Sequence, residues 1–220
     1  VTWLQTHSDR AFDFEVVLRH ERNRGGEDLS FIDLHDIAVS LSRQPRFLGH
    51  MGRFYSVAEH SCLVMDFLRE EANVKNQNLL ACALMHDASE AYMGDLPAPL
   101  KHMPQLEGYR QIEQAVMAAI SARFGLTWNV DIRTLVKWAD SVMLRGEAES
   151  MKGAPPRPWF DRFPRAPSDT WLTSKGLGLD PEAAKLAFLG RAQELFLHRG
   201  DPKDGAQLRY DKSAALGAHR

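Results

Sequence analysis

The chain has 220 residues, 44% of them hydrophobic, which suits one large domain with a real core. Its 27 basic and 29 acidic residues leave a net charge of -2, so the basic excess that duplex nucleic acid calls for is excluded and only a local basic pocket is left open. No run nears the roughly 18 uninterrupted apolar residues that span a bilayer, and Val1–Gln5 lacks the charge-then-apolar pattern of a signal peptide, so a protein without membrane segments is expected.

Val1 to Ser30 mixes aromatics with charge, ends in Arg24-Gly25-Gly26-Glu27-Asp28 and sustains no helical period, which reads as an irregular or short-hairpin arm. From Phe31 to Ser42 a stripe of Leu34, Ile37, Ala38 and Leu41 behind Asp33 predicts a short amphipathic helix, ended by Pro45. After a loop, Ser56 is a candidate N-cap with Glu59 at capping-box spacing. The helix that follows runs to about Glu71 with a stripe of Val57, Val64, Phe67 and Leu68. His60 lies beside that stripe, and Glu59, Asp66 and Glu70 face away from it.

Asn76 to Ala91 is apolar on nearly every side, the pattern of a central helix, and Gly94-Asp95-Leu96-Pro97-Ala98-Pro99 breaks the chain. Leu106–Phe124 and Ile132–Met151 read as two core helices. Pro155-Pro156-Arg157-Pro158-Trp159-Phe160 cannot be regular helix and could serve as a lid, a packed loop or part of a homodimer surface. Pro181–His198 is the last helical pattern, and a polar tail follows. The expected architecture is all-α: one compact helical domain over residues 1–198, its motifs within 33–150, with a loosely ordered tail at 199–220.

His86 and Asp87 interrupt the most apolar stretch of the sequence, Leu79 to Ala91. A carboxylate in such a setting loses several kcal/mol of hydration, by order of magnitude, unless it is paired, hydrogen-bonded or bound to a metal. At helical spacing Glu90 stands one turn beyond the pair. His60 and Asp140 point inward from two other helices, so imidazoles and carboxylates converge from three helices. Each has a plainer reading: His60 as a satisfied core residue, Asp140 as a partner of Lys137 or Arg145, Glu90 as a solvent-facing carboxylate. The conjunction favours a cation, which neutralises both buried carboxylates at once. A second pair, His35-Asp36, puts Asp36 on the side opposite its helix's apolar stripe and is assigned no chemistry. Cys62 and Cys82 lack CxxC spacing and read as free thiols of a reducing, cytoplasmic compartment. GxSxG, GxxxxGK[ST] and HExxH are absent.

His60, the doublet His86-Asp87 and the distant Asp140 reproduce the H...HD...D signature, and the chain resembles the HD-domain metal-dependent phosphohydrolases, an all-helical superfamily. Tyr55-Ser56-Val57-Ala58-Glu59-His60-Ser61, His86-Asp87-Ala88-Ser89-Glu90 with Gly94-Asp95-Leu96-Pro97, and Lys137-Trp138-Ala139-Asp140 are similar to the bacterial 5'-deoxynucleotidase branch. That resemblance implies that His60, His86, Asp87 and Asp140 ligate one divalent ion (Mn, Co, Fe, Zn or Mg) and that Glu90 is the acid/base residue. It implies that Asp95 contacts the sugar or orients the attack and that Arg46 binds the substrate phosphate. Phe47 stands where the branch has a tryptophan that favours deoxyribose.

The implied reaction is release of phosphate from a (deoxy)nucleoside 5'-monophosphate. A divalent ion can bring the pKa of water to about 7 from about 15.7, a guanidinium suits phosphoryl oxygens, and a carboxylate can relay the proton. Two-metal relatives add histidines between the doublet and the last aspartate, where this chain has only His102, so one metal is expected. The alternatives are a nucleoside triphosphate triphosphohydrolase and, in another class, a non-catalytic module that keeps the metal for its fold.

Overall fold

A computed structural model describes residues 2–152, 157, 162–165 and 169–197. Among these, a two-stranded hairpin, β1 (Trp3–Gln5) and β2 (Ala11–Asp13), precedes the helices α1 (Phe14–Asn23), α2 (Leu34–Arg43), α3 (Val57–Glu70), α4 (Gln77–Leu84), α5 (Glu90–Met93), α6 (Ala98–Lys101), α7 (Glu107–Arg123), α8 (Val130–Met151), α9 (Asp169–Ser174) and α10 (Pro181–Leu197). The fold is all-α, as expected. Among the described residues no helix is long and apolar enough to cross a membrane. The Pro155–Phe160 connection, apart from Arg157, and the tail at 199–220 lie outside the described residues.

The helix starts follow from local chemistry. Asp13, Asp33, Ser56, Asn76 and Asn129 each accept backbone N–H groups of the first turn, worth about 1 kcal/mol apiece. The arm expected to be irregular or a short hairpin holds the β1–β2 hairpin and, beyond it, the helix α1. Val17 is its one buried residue, so its apolar stripe is too thin to stand out among charges.

α3 forms the centre of the bundle. It packs on α2, α4, α8 and α10, and every residue from Val57 to Leu68 is buried. That overturns the outward placement of Glu59 and Asp66. α10 and the turn before it cover them: the Arg191 guanidinium pairs with Asp66, and Glu59 accepts the N–H groups of Gly178 and Leu179 at 2.8 and 2.9 Å. Glu59 is therefore only half of a capping box, since its carboxylate serves another segment. Burial raises its pKa to about 7 against those two donors. Glu70 does face outward, where Trp171 and Lys175 bond it. Cys62 and Cys82 are buried and are not joined in a disulfide.

The helix expected over Asn76–Ala91 stops at Leu84. Met85 to Ser89 form turns closed by i→i+3 bonds such as Ala88 N to Met85 O and Glu90 N to Asp87 O, both 3.0 Å. The His86 ring takes the Ala83 carbonyl at 2.8 Å, one of the acceptors that a helix end leaves open. His86 and Asp87 thus sit in a tight turn between two helices, not on a continuous one.

Candidate metal centre

Three elements bring the four sequence-predicted ligand residues together. His60 comes from the first turn of α3, His86 and Asp87 from the turn after α4, and Asp140 from the middle of α8. His60, His86 and Asp140 each offer one ligand atom within 4.8 Å of the others. Asp87 Oδ2 lies 3.2 Å from His86 Nε2 and 3.9 Å from His60 Nε2, and Asp140 Oδ1 lies 3.3 Å from His60 Nε2. The other oxygen of Asp140 accepts from Lys137 at 2.8 Å, one of the two partners its plainer reading offered. His102 is exposed, bonds Ala98 O and stays outside the cluster.

The orientation of the two imidazoles decides what the cluster can hold. Each Nδ1 is engaged, that of His60 by Glu147 at 2.5 Å and that of His86 by the Ala83 carbonyl, while both Nε2 atoms are buried without a hydrogen-bond partner. Buried polar atoms are rarely left in that state. An acceptor on Nδ1 with Nε2 free is how proteins present histidine to a metal, so the residues fit a divalent ion. Mixed imidazole and carboxylate donors do not select among the first-row metals and Mg.

Glu147 was missed by the sequence reading. It is fully buried on α8, accepts Tyr55 O–H at 2.8 Å and the His60 ring, and its other oxygen lies 3.3 Å from Arg46 Nε. It stands seven residues after Asp140, two helical turns along the same face, and that spacing was its one signal. Burial raises the pKa of Glu147, but His60 and Arg46 outweigh it and hold the carboxyl below its usual range.

Arg46 is buried, with Nη1 3.6 Å from Asp87 Oδ2. It begins a loop in which Phe47 and Leu48 both have positive φ, +53° and +52°, a sparsely populated conformation for side chains of that size. The half-buried Phe47 ring lies between two cations, Arg46 at 5.6 Å and Lys152 at 5.4 Å from its centroid.

Glu90 is buried, and its Oε2 has no hydrogen-bond partner. Burial, then the charges of Asp87 and Asp95, push its pKa up to about 10. Burial and Asp87 raise Asp95 as well, against Arg46. Conversely, His86 and His60 overcome the burial of Asp87 and lower its pKa, and His60 does the same for Asp140. His60 itself rises to about 9: burial and Arg46 oppose its charge, but Glu147 and Asp140 prevail.

Gln44, also missed, ties these segments together. Its side chain donates to the Glu90 carbonyl at 2.9 Å and accepts from Asp95 N–H at 3.0 Å, while its own carbonyl accepts from Val57 N–H at the start of α3. Gly94, at φ +82° without a Cβ to hinder it, turns the chain between Glu90 and Asp95.

An all-helical bundle with an H...HD...D cluster at its centre, its imidazoles oriented for a cation, defines the HD class of metal-dependent phosphohydrolases. The profile described as "5'-deoxynucleotidase YfbR-like" matches residues 49–141, which include His60, His86, Asp87, Glu90, Asp95 and Asp140 but not Arg46 or Phe47. The uncharacterized protein YfdR of Escherichia coli is 32% identical over 182 residues, covering 78% of this chain and 90% of its own length. An uncharacterized protein of Rhodobacter capsulatus is 39% identical over 127 residues, 56% of this chain and 64% of its own. The chain belongs to the YfbR-like family, whose kind is the metal-dependent HD phosphohydrolase.

Proposed function

We propose that this protein is a cytoplasmic one-metal nucleotidase that releases phosphate from (deoxy)nucleoside 5'-monophosphates. The observation that carries the reading is the pair of buried Nε2 atoms of His60 and His86, which make no hydrogen bond of good geometry and face the carboxylates of Asp140 and Asp87, with Glu90 in the same short segment as His86 and Asp87. His60, His86, Asp87 and Asp140 hold the divalent ion. When bound, the ion supplies Lewis acidity, which acidifies water and offsets charge on the phosphoryl oxygens.

The chain's own residues do the rest. Arg46, held by Glu147 and Asp87, presents a fixed guanidinium to the phosphate oxygens. Glu90 accepts a proton from the attacking water as its oxygen bonds to phosphorus, then returns it to the 5' oxygen as the P–O bond breaks. In the metal-free protein burial and the charges of Asp87 and Asp95 keep the Glu90 carboxyl protonated; with that negative charge offset by a divalent ion held by Asp87, the carboxylate is free to take the first proton. Asp95, fixed by Gln44, faces the same space and contacts the sugar; Phe47 flanks the phosphate side.

The test is an assay of product. Protein stripped of metal and reloaded in turn with Mn, Co, Fe, Zn or Mg is offered ribo- and deoxynucleoside mono- and triphosphates. Inorganic phosphate and a nucleoside are expected from the monophosphates. Release of tripolyphosphate from a triphosphate with the monophosphates untouched would replace this reading with the triphosphohydrolase one, and loss of folding without turnover on metal removal would replace it with a structural metal site.

A further inference from the structure

Glu90 faces four charged groups: Asp87, Asp95, Lys101 and Arg46. Among the described residues, only Lys101 lies within ion-pair distance of it, with Nζ 3.5 Å from Glu90 Oε1. Lys101 does not hang freely on the surface. Its Nζ donates to Glu113 Oε1 on α7 at 2.7 Å, both side chains are mostly buried, and Arg110 grips the adjoining backbone by donating to the carbonyls of Lys101 and Met103 at 2.6 and 3.0 Å. α7 thus holds the end of α6 and the ammonium together. Glu113, Lys101 and Glu90 form a line in which Glu90 Oε1 faces the cation and Oε2 is left without a hydrogen-bond partner.

We infer that Lys101, anchored by Glu113, is a positioning residue: it fixes the Glu90 carboxyl with one oxygen held and the other presented for proton transfer. The inference rests on the nucleotidase reading and deepens it. Lysine suits the task because its compact ammonium can donate to one carboxylate and pair with a second while its stem stays packed. A carboxyl that swings by about 1 Å can cost a factor of about 100 in rate, so the effect falls on turnover rather than on substrate binding.

The experiment is a double-mutant cycle on the metal-loaded enzyme, with a nucleoside 5'-monophosphate that the wild type hydrolyses. Lys101→Met should lower kcat by about 10- to 100-fold with KM within about threefold. Lys101→Arg should recover most of the loss, and Glu113→Gln should fall in the same direction by less. In a Glu90→Gln background, Lys101→Met should cost under about twofold, since the residue it acts through is already disabled. An equal loss in that background, a rise in KM with kcat kept, or no recovery by arginine would overturn the positioning role while leaving the nucleotidase reading intact. A wild type that hydrolyses no monophosphate would remove that reading and this inference with it.

Discussion

The chain carries the dipeptide His-Asp twice, with the first aspartate buried and the second half-buried. Asp36 is buried, against the outward placement its helical face suggested, because the N-terminal arm lies over it: Thr6 O–H and Ser8 N–H donate to its two oxygens at 2.7 and 2.8 Å. With Asp33 and His35 it forms the other group that could close on a cation. Asp33, however, caps α2 and pairs with Arg10, and the His35 ring lies at the surface near that of His7. At His86-Asp87 the arrangement is reversed. There the carboxylate meets two imidazoles and a guanidinium, and the two buried Nε2 atoms face carboxylate oxygens without a hydrogen bond of good geometry. A charged residue in the core is structural when its neighbours satisfy it. It is a functional site when a whole group of neighbours is arranged around a partner from outside the chain.

Substitutions on the two sides should separate them. His86→Ala should abolish phosphate release, on the order of a thousandfold or more, because the ion loses a ligand while the fold keeps its other helices; equal loss from His35→Ala would erase the distinction. Glu90→Gln should lower kcat by about 100- to 10,000-fold with metal content unchanged, read by steady-state kinetics and elemental analysis. Glu147→Gln, which leaves the His60 ring without its carboxylate acceptor, should weaken metal affinity by about 10- to 100-fold in a chelator titration. Asp36→Asn should cost about 1–3 kcal/mol in urea unfolding while activity stays within about twofold, the mark of a structural pair.

The same contrast has a pH signature. His60 and Glu90 have pKa values raised to about 9 and about 10, from 6.5 and 4.5, so in metal-free protein their contribution is whole below those ordinary values and is lost as pH rises through the raised ones. Asp87, Asp140 and Glu147 are lowered and act in the opposite sense, losing theirs as pH falls through the acid range. The melting temperature of metal-free protein should therefore decline between about pH 6 and about pH 10, and a bound divalent ion should flatten that decline. A metal-free protein whose stability rises over that range would contradict the charge pattern of the cluster.

Much of the site is legible in the sequence because a charge inside an apolar run is costly. The structure places His60, His86, Asp87 and Asp140 close together, with Glu90 and Arg46 near them. What escapes is set by residues distant along the chain. Glu59 and Asp66 look solvent-facing until Gly178, Leu179 and Arg191 arrive from more than a hundred residues away. The break after Leu84 carries no glycine or proline, and the His86 ring meets the Ala83 carbonyl there. Gln44 and Lys101 have ordinary surface residue types, and only the packing of α2 and α7 around α5 and α6 gives them their roles.

The most direct test is the metal content of wild type, His86→Ala and His35→Ala, each stripped, reloaded with the same ion and dialysed before elemental analysis. One ion per chain is expected in wild type and in His35→Ala, and almost none in His86→Ala. An ion that stays in His86→Ala, or that leaves with His35→Ala, would contradict the account.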